Sequence, residues 1–136
     1  MGRMAISLML LGVTGCASLG QAACVLPSQR PMVVAELFFG RDVPNRAPLS
    51  DAEWSEFAAT VIATSFPDGF TTFDADGQWR NPRTNHVARE HTKILLVVTT
   101  RSADLGARLE TVMAAYRKLF DQVSVGLITE DACAAF

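Results

Sequence analysis

Residues 33–39, Val33-Val34-Ala35-Glu36-Leu37-Phe38-Phe39, are hydrophobic at every position but Glu36. This β-branched and aromatic run, closed by Pro31 and Gly40, predicts a first strand. Pro44, Asn45 and Pro48 make the next stretch a loop. Ser50 and Glu53 stand at capping-box spacing and open a helix over 51–66. Its Trp54, Phe57, Ala58, Val61, Ile62 and Phe66 recur at helical spacing and predict the buried stripe. Pro67 cannot continue a helix, and Asp68-Gly69 supplies a turn. A second strand then runs through Arg80, with a kink expected at Gly77. After a turn over 81–85, a third strand covers 87–99, centred on Ile94-Leu95-Leu96-Val97-Val98. The spacing of Leu105, Leu109, Val112, Met113, Tyr116 and Phe120 predicts a second helix over 102–121, capped by Ser102. A last strand is expected over 123–129.

Strand, helix, strand, strand, helix, strand is the ferredoxin-like βαββαβ pattern of the α+β class. It implies an antiparallel four-stranded sheet in the spatial order 4-1-3-2, with both helices on one face. The third strand nevertheless offers apolar residues to both faces: Ile94, Leu96 and Val98 to one, Leu95 and Val97 to the other. A second apolar face needs a cover. The expectation is a homodimer packed face to face, of the α+β-barrel kind, or a ligand cleft; the chain's own tails are the remaining alternative.

The chain has 136 residues, enough for one domain with a modest core. The first fifteen read as an address. Arg3 supplies a positive start, and an apolar run of about ten residues follows, the length of a signal-peptide core and too short to span a bilayer. Val13-Thr14-Gly15-Cys16 comes next and resembles a bacterial lipobox. That resemblance implies a lipidated Cys16 at the mature N-terminus, anchored stably by several acyl chains. Ala17 is not Asp, so by the same analogy the anchor sits in the outer membrane, facing the periplasm, in a cell with two membranes. The alternative is an ordinary secretory signal cut after Ala22 or Ala23. The expected organisation is a signal over 1–15, a tether over 16–31 and one α+β domain over 32–136.

Three cysteines is an odd number for an exported protein. With Cys16 lipidated, Cys24 and Cys133 remain as one disulfide, and the alternative is two free thiols. In the order 4-1-3-2 the start of the first strand lies beside the end of the last, which brings Cys24 and Cys133 to the same end of the sheet.

Charge narrows the partners. A formal net charge of −2, without a clustered basic face, argues against nucleic acid. No phosphate-binding glycine loop, nucleophile elbow or paired-cysteine metal site occurs, so no cofactor is expected. His86 and His91 flank Glu90, but residues five apart on a strand point to opposite faces, so no metal is assigned. Asp74-Ala75-Asp76-Gly77 opens like a calcium loop but lacks its distal acidic ligand, and a turn or bulge is the better reading.

The candidate ligand-binding residues are Arg41, Asp74, Gln78, Trp79, Arg80 and Glu90. In the functional reading the arginines clamp an anionic group, Trp79 forms an apolar wall, and Asp74 or Glu90 carries a proton. In the structural reading the same groups are salt bridges tying a hairpin to the first strand. Glu36, at mid-strand, would need a partner if buried, and Arg41 and Arg80 are the candidates.

The phrases Glu36-Leu37-Phe38-Phe39-Gly40-Arg41, Phe66-Pro67-Asp68-Gly69-Phe70-Thr71, Asp74-Ala75, Gly77-Gln78-Trp79-Arg80, Arg89-Glu90 and Lys93 resemble the bacterial exported family called domain of unknown function 3574. The likeness spans about residues 33–125, with Phe70 in place of the family's leucine. It implies that these segments form a shared surface, and it brings no settled activity. The first functional expectation is therefore a non-enzymatic binding or interaction module in the cell envelope. The second is a small enzyme with a cleft over the open sheet face. The anchor is checked by intact mass of protein extracted from membranes: a lipid mass is expected on the native chain and is lost in Cys16→Ala.

Overall fold

Which residues of each strand are buried decides the architecture. In β1 (Arg30–Gly40), Val33, Ala35, Leu37 and Phe39 are buried while Val34, Glu36 and Phe38 are half-buried. In β3 (Val87–Thr99), Lys93, Leu95, Val97 and Thr99 are buried, alternating with half-buried Ile94, Leu96 and Val98. A period of two with unequal burial means that helices cover one face and leave the other open. The computed structural model describes residues 24–80 and 85–136. The expected signal segment, Cys16 and most of the 81–85 turn lie outside the described residues.

β1 and β3 form the centre of the sheet, with β2 (Thr71–Arg80) and β4 (Gly126–Ala134) at the edges, in the order β2-β3-β1-β4. All three pairings are antiparallel. This is the expected ferredoxin-like α+β arrangement, with two helices on one face.

The first helix, α1, follows Ser50. It is α-helical over Asp51–Phe57, widens to a π-helix over Ala58–Ile62 and closes as α-helix over Ala63–Ser65. The capping box forms: Ser50 Oγ accepts from Glu53 N at 3.2 Å and Glu53 Oε2 accepts from Ser50 N at 2.8 Å. The Ser50 N–H, the Ser50 hydroxyl and Arg46, all donating to the Glu53 carboxylate, hold it down at about 2. The second helix, α2 (Leu105–Leu119), buries Leu105, Leu109, Val112 and Tyr116. It starts three residues later than expected, because Ser102 contributes its carbonyl rather than its hydroxyl: Leu105 N donates to Ser102 O at 3.2 Å. The Ser102 hydroxyl instead accepts from Arg108 Nη2 at 3.2 Å.

Between helices and sheet lies an aromatic cluster of Phe39, Trp54, Phe57, Tyr116 and Phe120. Tyr116 sits at its middle, with ring centroids 4.7 Å from Phe39, 5.2 Å from Phe57 and 4.8 Å from Phe120. Its hydroxyl donates to Gly40 O at 2.8 Å, fastening α2 to the end of β1.

Two strand boundaries and one expected kink depart from the sequence pattern. β1 begins at Arg30 and β4 runs to Ala134, because the two pair through Arg30↔Ala134 and Pro31↔Cys133. Neither end is apolar enough to read as strand in isolation; each is strand because the other is its neighbour. β2 is not kinked at Gly77, since its register with β3 is unbroken through Gly77↔Glu90. The glycine answers a steric demand instead: a Cβ there would lie 2.8 Å from Thr92 Oγ1.

Cys24 and Cys133 form a disulfide, with Cα atoms 5.6 Å apart across 109 residues of sequence. A cross-link over so long a loop constrains the unfolded chain strongly. Cys133→Ala is expected to lower the unfolding free energy by about 2–5 kcal/mol. Urea denaturation of the variant, compared with the oxidised parent, measures it.

Candidate functional site

The open face is hollow at one end because its strands place small residues side by side. Gly40 of β1 lies opposite Thr92 of β3, which lies opposite Ala75 of β2. In the next rows Gly77 faces Glu90, and Trp79 faces Ala88. On the other side, Gly126 of β4 faces Phe38, and a Cβ on that glycine would meet the Phe38 ring at 3.3 Å. The result is a cleft of about 600 Å³. Phe38, Ile94 and Trp79 wall it, and the segments around Asp42–Pro44 and Asp121–Ser124 form its rim. Gln122 Nε2 donates to Asp42 O at 2.6 Å and joins the two parts of that rim.

Glu90 projects into this hollow. A Cβ on Gly40 would fall 2.5 Å from Glu90 Oε2, so only glycine leaves room for the carboxylate to fold across the β1 backbone. There it accepts from Asp42 N at 3.4 Å. Partial burial pushes the Glu90 carboxyl up, and the Asp42 charge adds to the rise. The Asp42 N–H and the Trp79 indole N–H oppose it by hydrogen-bonding the charged form. Behind Gly40, burial and, secondarily, the Glu90 charge push the Tyr116 hydroxyl far up, so it stays a neutral donor.

A second polar cluster occupies the opposite, helix-covered face. The Lys93 ammonium, whose side chain is only 9 % exposed, lies 2.6 Å from Asp74 Oδ1 and 3.0 Å from Asp51 Oδ1. Arg41 Nη1 lies 3.2 Å from the same Asp51 oxygen and 3.6 Å from that of Asp74. Burial pulls the Lys93 ammonium down, but bonds to Asp74 and then Asp51 outweigh it and hold the group above its ordinary value. Arg41 also donates from Nε to Leu49 O at 2.7 Å, while Leu49 N donates to Arg41 O at 2.7 Å. Arg41 thereby closes the loop that leads into α1.

The sequence pattern of the family described as "Protein of unknown function (DUF3574)" matches residues 34–136. The chain belongs to the DUF3574 family. Among curated proteins none matches it. Solved structures resemble this DUF3574 domain in fold. A phage SAM lyase in complex with S-methyl-5'-thioadenosine superposes with a TM-score of 0.60 at 11 % identity, over 86 % of this chain and 97 % of the lyase. The same description of enzyme in its apo state gives 0.57 at 12 % identity, over 85 % and 97 %. CutA from Synechococcus elongatus PCC7942 gives 0.51 at 8 % identity, over 77 % and 80 %.

The DUF3574 domain divides the residues that the sequence grouped together. Trp79 and Glu90 share the cleft, and Gln78 borders it. Asp74 and Arg41 belong to the ion-pair cluster across the sheet. Arg80 turns away and donates from Nη1 to the Asn85 backbone and side-chain oxygens, each at 3.1 Å. Gln78 Oε1 accepts from Arg89 Nε at 2.8 Å. Glu36 is half-buried on the open face and takes neither expected arginine, because both are engaged elsewhere. Phe38, Asp42, Thr92, Asp121 and Gly126 line the cleft without having stood out in the sequence. The alternation of β1 placed Phe38 on the open face; nothing local marked Asp121 or Gly126.

Glu90 binds its proton more tightly in the folded than in the unfolded chain. The stability carried by that proton is present at low pH and is lost as pH rises from the ordinary glutamate value of 4.5 through the raised one. Glu90→Gln is therefore expected to stabilise the protein at neutral pH, by no more than about 1 kcal/mol because the group is partly solvated and screened. The advantage fades below the ordinary value. Denaturation of both proteins across a pH series checks the sign.

Proposed function

We propose that the protein is an exported, lipid-anchored binding module of the cell envelope, and that its ligand is a small molecule seated in the cleft of the open sheet face. One observation carries the reading: a half-buried carboxylate stands in an apolar-walled cleft whose volume, about 600 Å³, suits a small organic ligand. The walls supply contact area, and Glu90 fixes orientation by accepting from a ligand N–H or O–H, or by pairing with a positive group. The Asp42 and Trp79 donors hold the carboxylate in place beforehand, which reduces the ordering cost of binding. A second copy laid over the same face is the competing cover.

The raised proton affinity of Glu90 favours a second reading, a small enzyme in which Glu90 transfers a proton. The phage SAM lyase supports it only as an example of this fold carrying catalysis. Asp74 has no part in that reading, since it faces the helices.

The test is amide NMR with a panel of neutral, anionic and cationic aromatic amphiphiles. Binders are expected to shift Gly40, Gly77, Ala88, Gly126 and the Trp79 indole. Ala88→Trp, which fills the cleft, is expected to weaken such binding at least about tenfold, equivalent to about 1.4 kcal/mol. Shifts centred elsewhere, or indifferent to Ala88→Trp, refute the reading.

A further inference from the structure

The charges around the cleft are one-sided. Asp42, Asp76, Glu90 and Asp121 all line it, and no lysine or arginine does. Asp76 shares the parity of Asp74 on β2, so its carboxylate is directed toward the other face, where His91 Nδ1 lies 2.7 Å from Asp76 Oδ1. Asp42, Glu90 and Asp121 have no ion-pair partner among the described residues. The helix-covered face is the contrast, because there Asp51 and Asp74 are both neutralised by Lys93 and Arg41.

The carboxylates are spread around the cleft rather than converging. Among the described residues no three His, Cys, Asp or Glu side chains lie close enough together to hold one metal ion. A diffuse negative field suits a charge that is itself diffuse, on a body large enough to touch the walls. Trp79 supplies the matching surface. Trp79 is 46 % exposed and lines the cleft with Glu90, so part of its indole is open to a ligand. An indole face attracts cations, and more strongly where water is excluded. Phe38 and Ile94 complete a wall that favours an alkylated cation over a compact hydrated ammonium.

We infer that the ligand of this cleft is an organic cation, of the quaternary ammonium, sulfonium or alkylated amine class, whose positive centre lies between Glu90 and the face of Trp79. The inference rests on the cleft being a small-molecule site and adds the charge class. An anionic ligand would meet the Glu90 and Asp42 carboxylates, and no lysine or arginine lines the cleft to offset them. A neutral ligand would leave Glu90 partly desolvated with no positive group to offset it.

The experiment uses three para-substituted phenols: 4-hydroxyphenyltrimethylammonium, its neutral isostere 4-tert-butylphenol, and the smaller anionic 4-hydroxybenzoate. Each is titrated into the disulfide-intact protein while the Trp79 indole and the Gly40 and Gly77 amides are followed by NMR. The cation is expected to bind at least about tenfold more tightly than the neutral isostere, with the advantage shrinking as salt is added. In Glu90→Gln the advantage of the cation is expected to shrink severalfold; the salt dependence in the parent protein tests the same point independently of that variant's folding. Equal binding of cation and phenol at these resonances, or preference for the benzoate, overturns the charge class and leaves the cleft as a ligand site. If no probe moves these resonances, the cation inference fails. Ala88→Trp then separates the two readings, since the cleft itself is refuted only when binders from the wider panel are indifferent to that substitution.

Discussion

Two helices cover one face of a four-stranded sheet, and the described residues place no element over the other. That inequality organises the molecule. On the covered face, Phe39, Trp54, Phe57 and Tyr116 interlock at aromatic distances, and a charge is admitted only as part of a paired cluster. On the open face the central strands carry half-buried Val34, Glu36, Phe38, Ile94, Leu96 and Val98, and toward one end the sheet changes to Gly40, Ala75, Gly77, Ala88 and Gly126. A sheet that only had to meet water would not need its volume removed there. Concavity here is a property of side-chain size, imposed on regular strands by five small residues.

The two faces also treat charge differently. Lys93 is nearly buried yet kept protonated, because the carboxylates of Asp74 and Asp51 lie against its ammonium. Glu90 is less buried and holds its proton more tightly than an ordinary glutamate, because its partial burial and the nearby Asp42 carboxylate outweigh the N–H donors that reach it. The first arrangement satisfies itself. The second retains unspent attraction for something positive, which is why the open face rather than the charge-rich helix side carries the functional proposal.

The fold was largely legible in the sequence. The β-branched and aromatic run 33–39, the capping box at Ser50 and Glu53, and the long apolar centre of β3 each specified an element, and their order specified the sheet. The site was legible only in part. Asp74 and Glu90 are both carboxylates on neighbouring strands, but Asp74 is opposite Lys93 and Glu90 opposite Gly77, three positions apart along β3, so they point to opposite faces. That parity depends on the β2–β3 register, which the hairpin's length leaves open. The rim from Asp121 to Ser124 was beyond reach for another reason. Its residues meet the cleft only because α2 ends at Leu119 and β4 begins at Gly126, folding that short connection over the end of β1. The late end of β4 was hidden likewise, since Glu130 and Asp131 resemble tail until paired with Val34 and Val33.

The Cys24–Cys133 bond also sets how the domain responds to pulling. A force applied through the residues before Cys24 does not have to peel β1 out of the sheet. It passes through the sulfur bridge into β4 at Cys133, opposite Pro31, and the 109-residue separation becomes a closed loop that extension cannot unravel. The cleft lies toward the far ends of these strands, near Gly40 and Gly126. Tension carried along the N-terminal segment therefore enters at one end of the sheet, while the cleft sits at the other, out of the path of the strain.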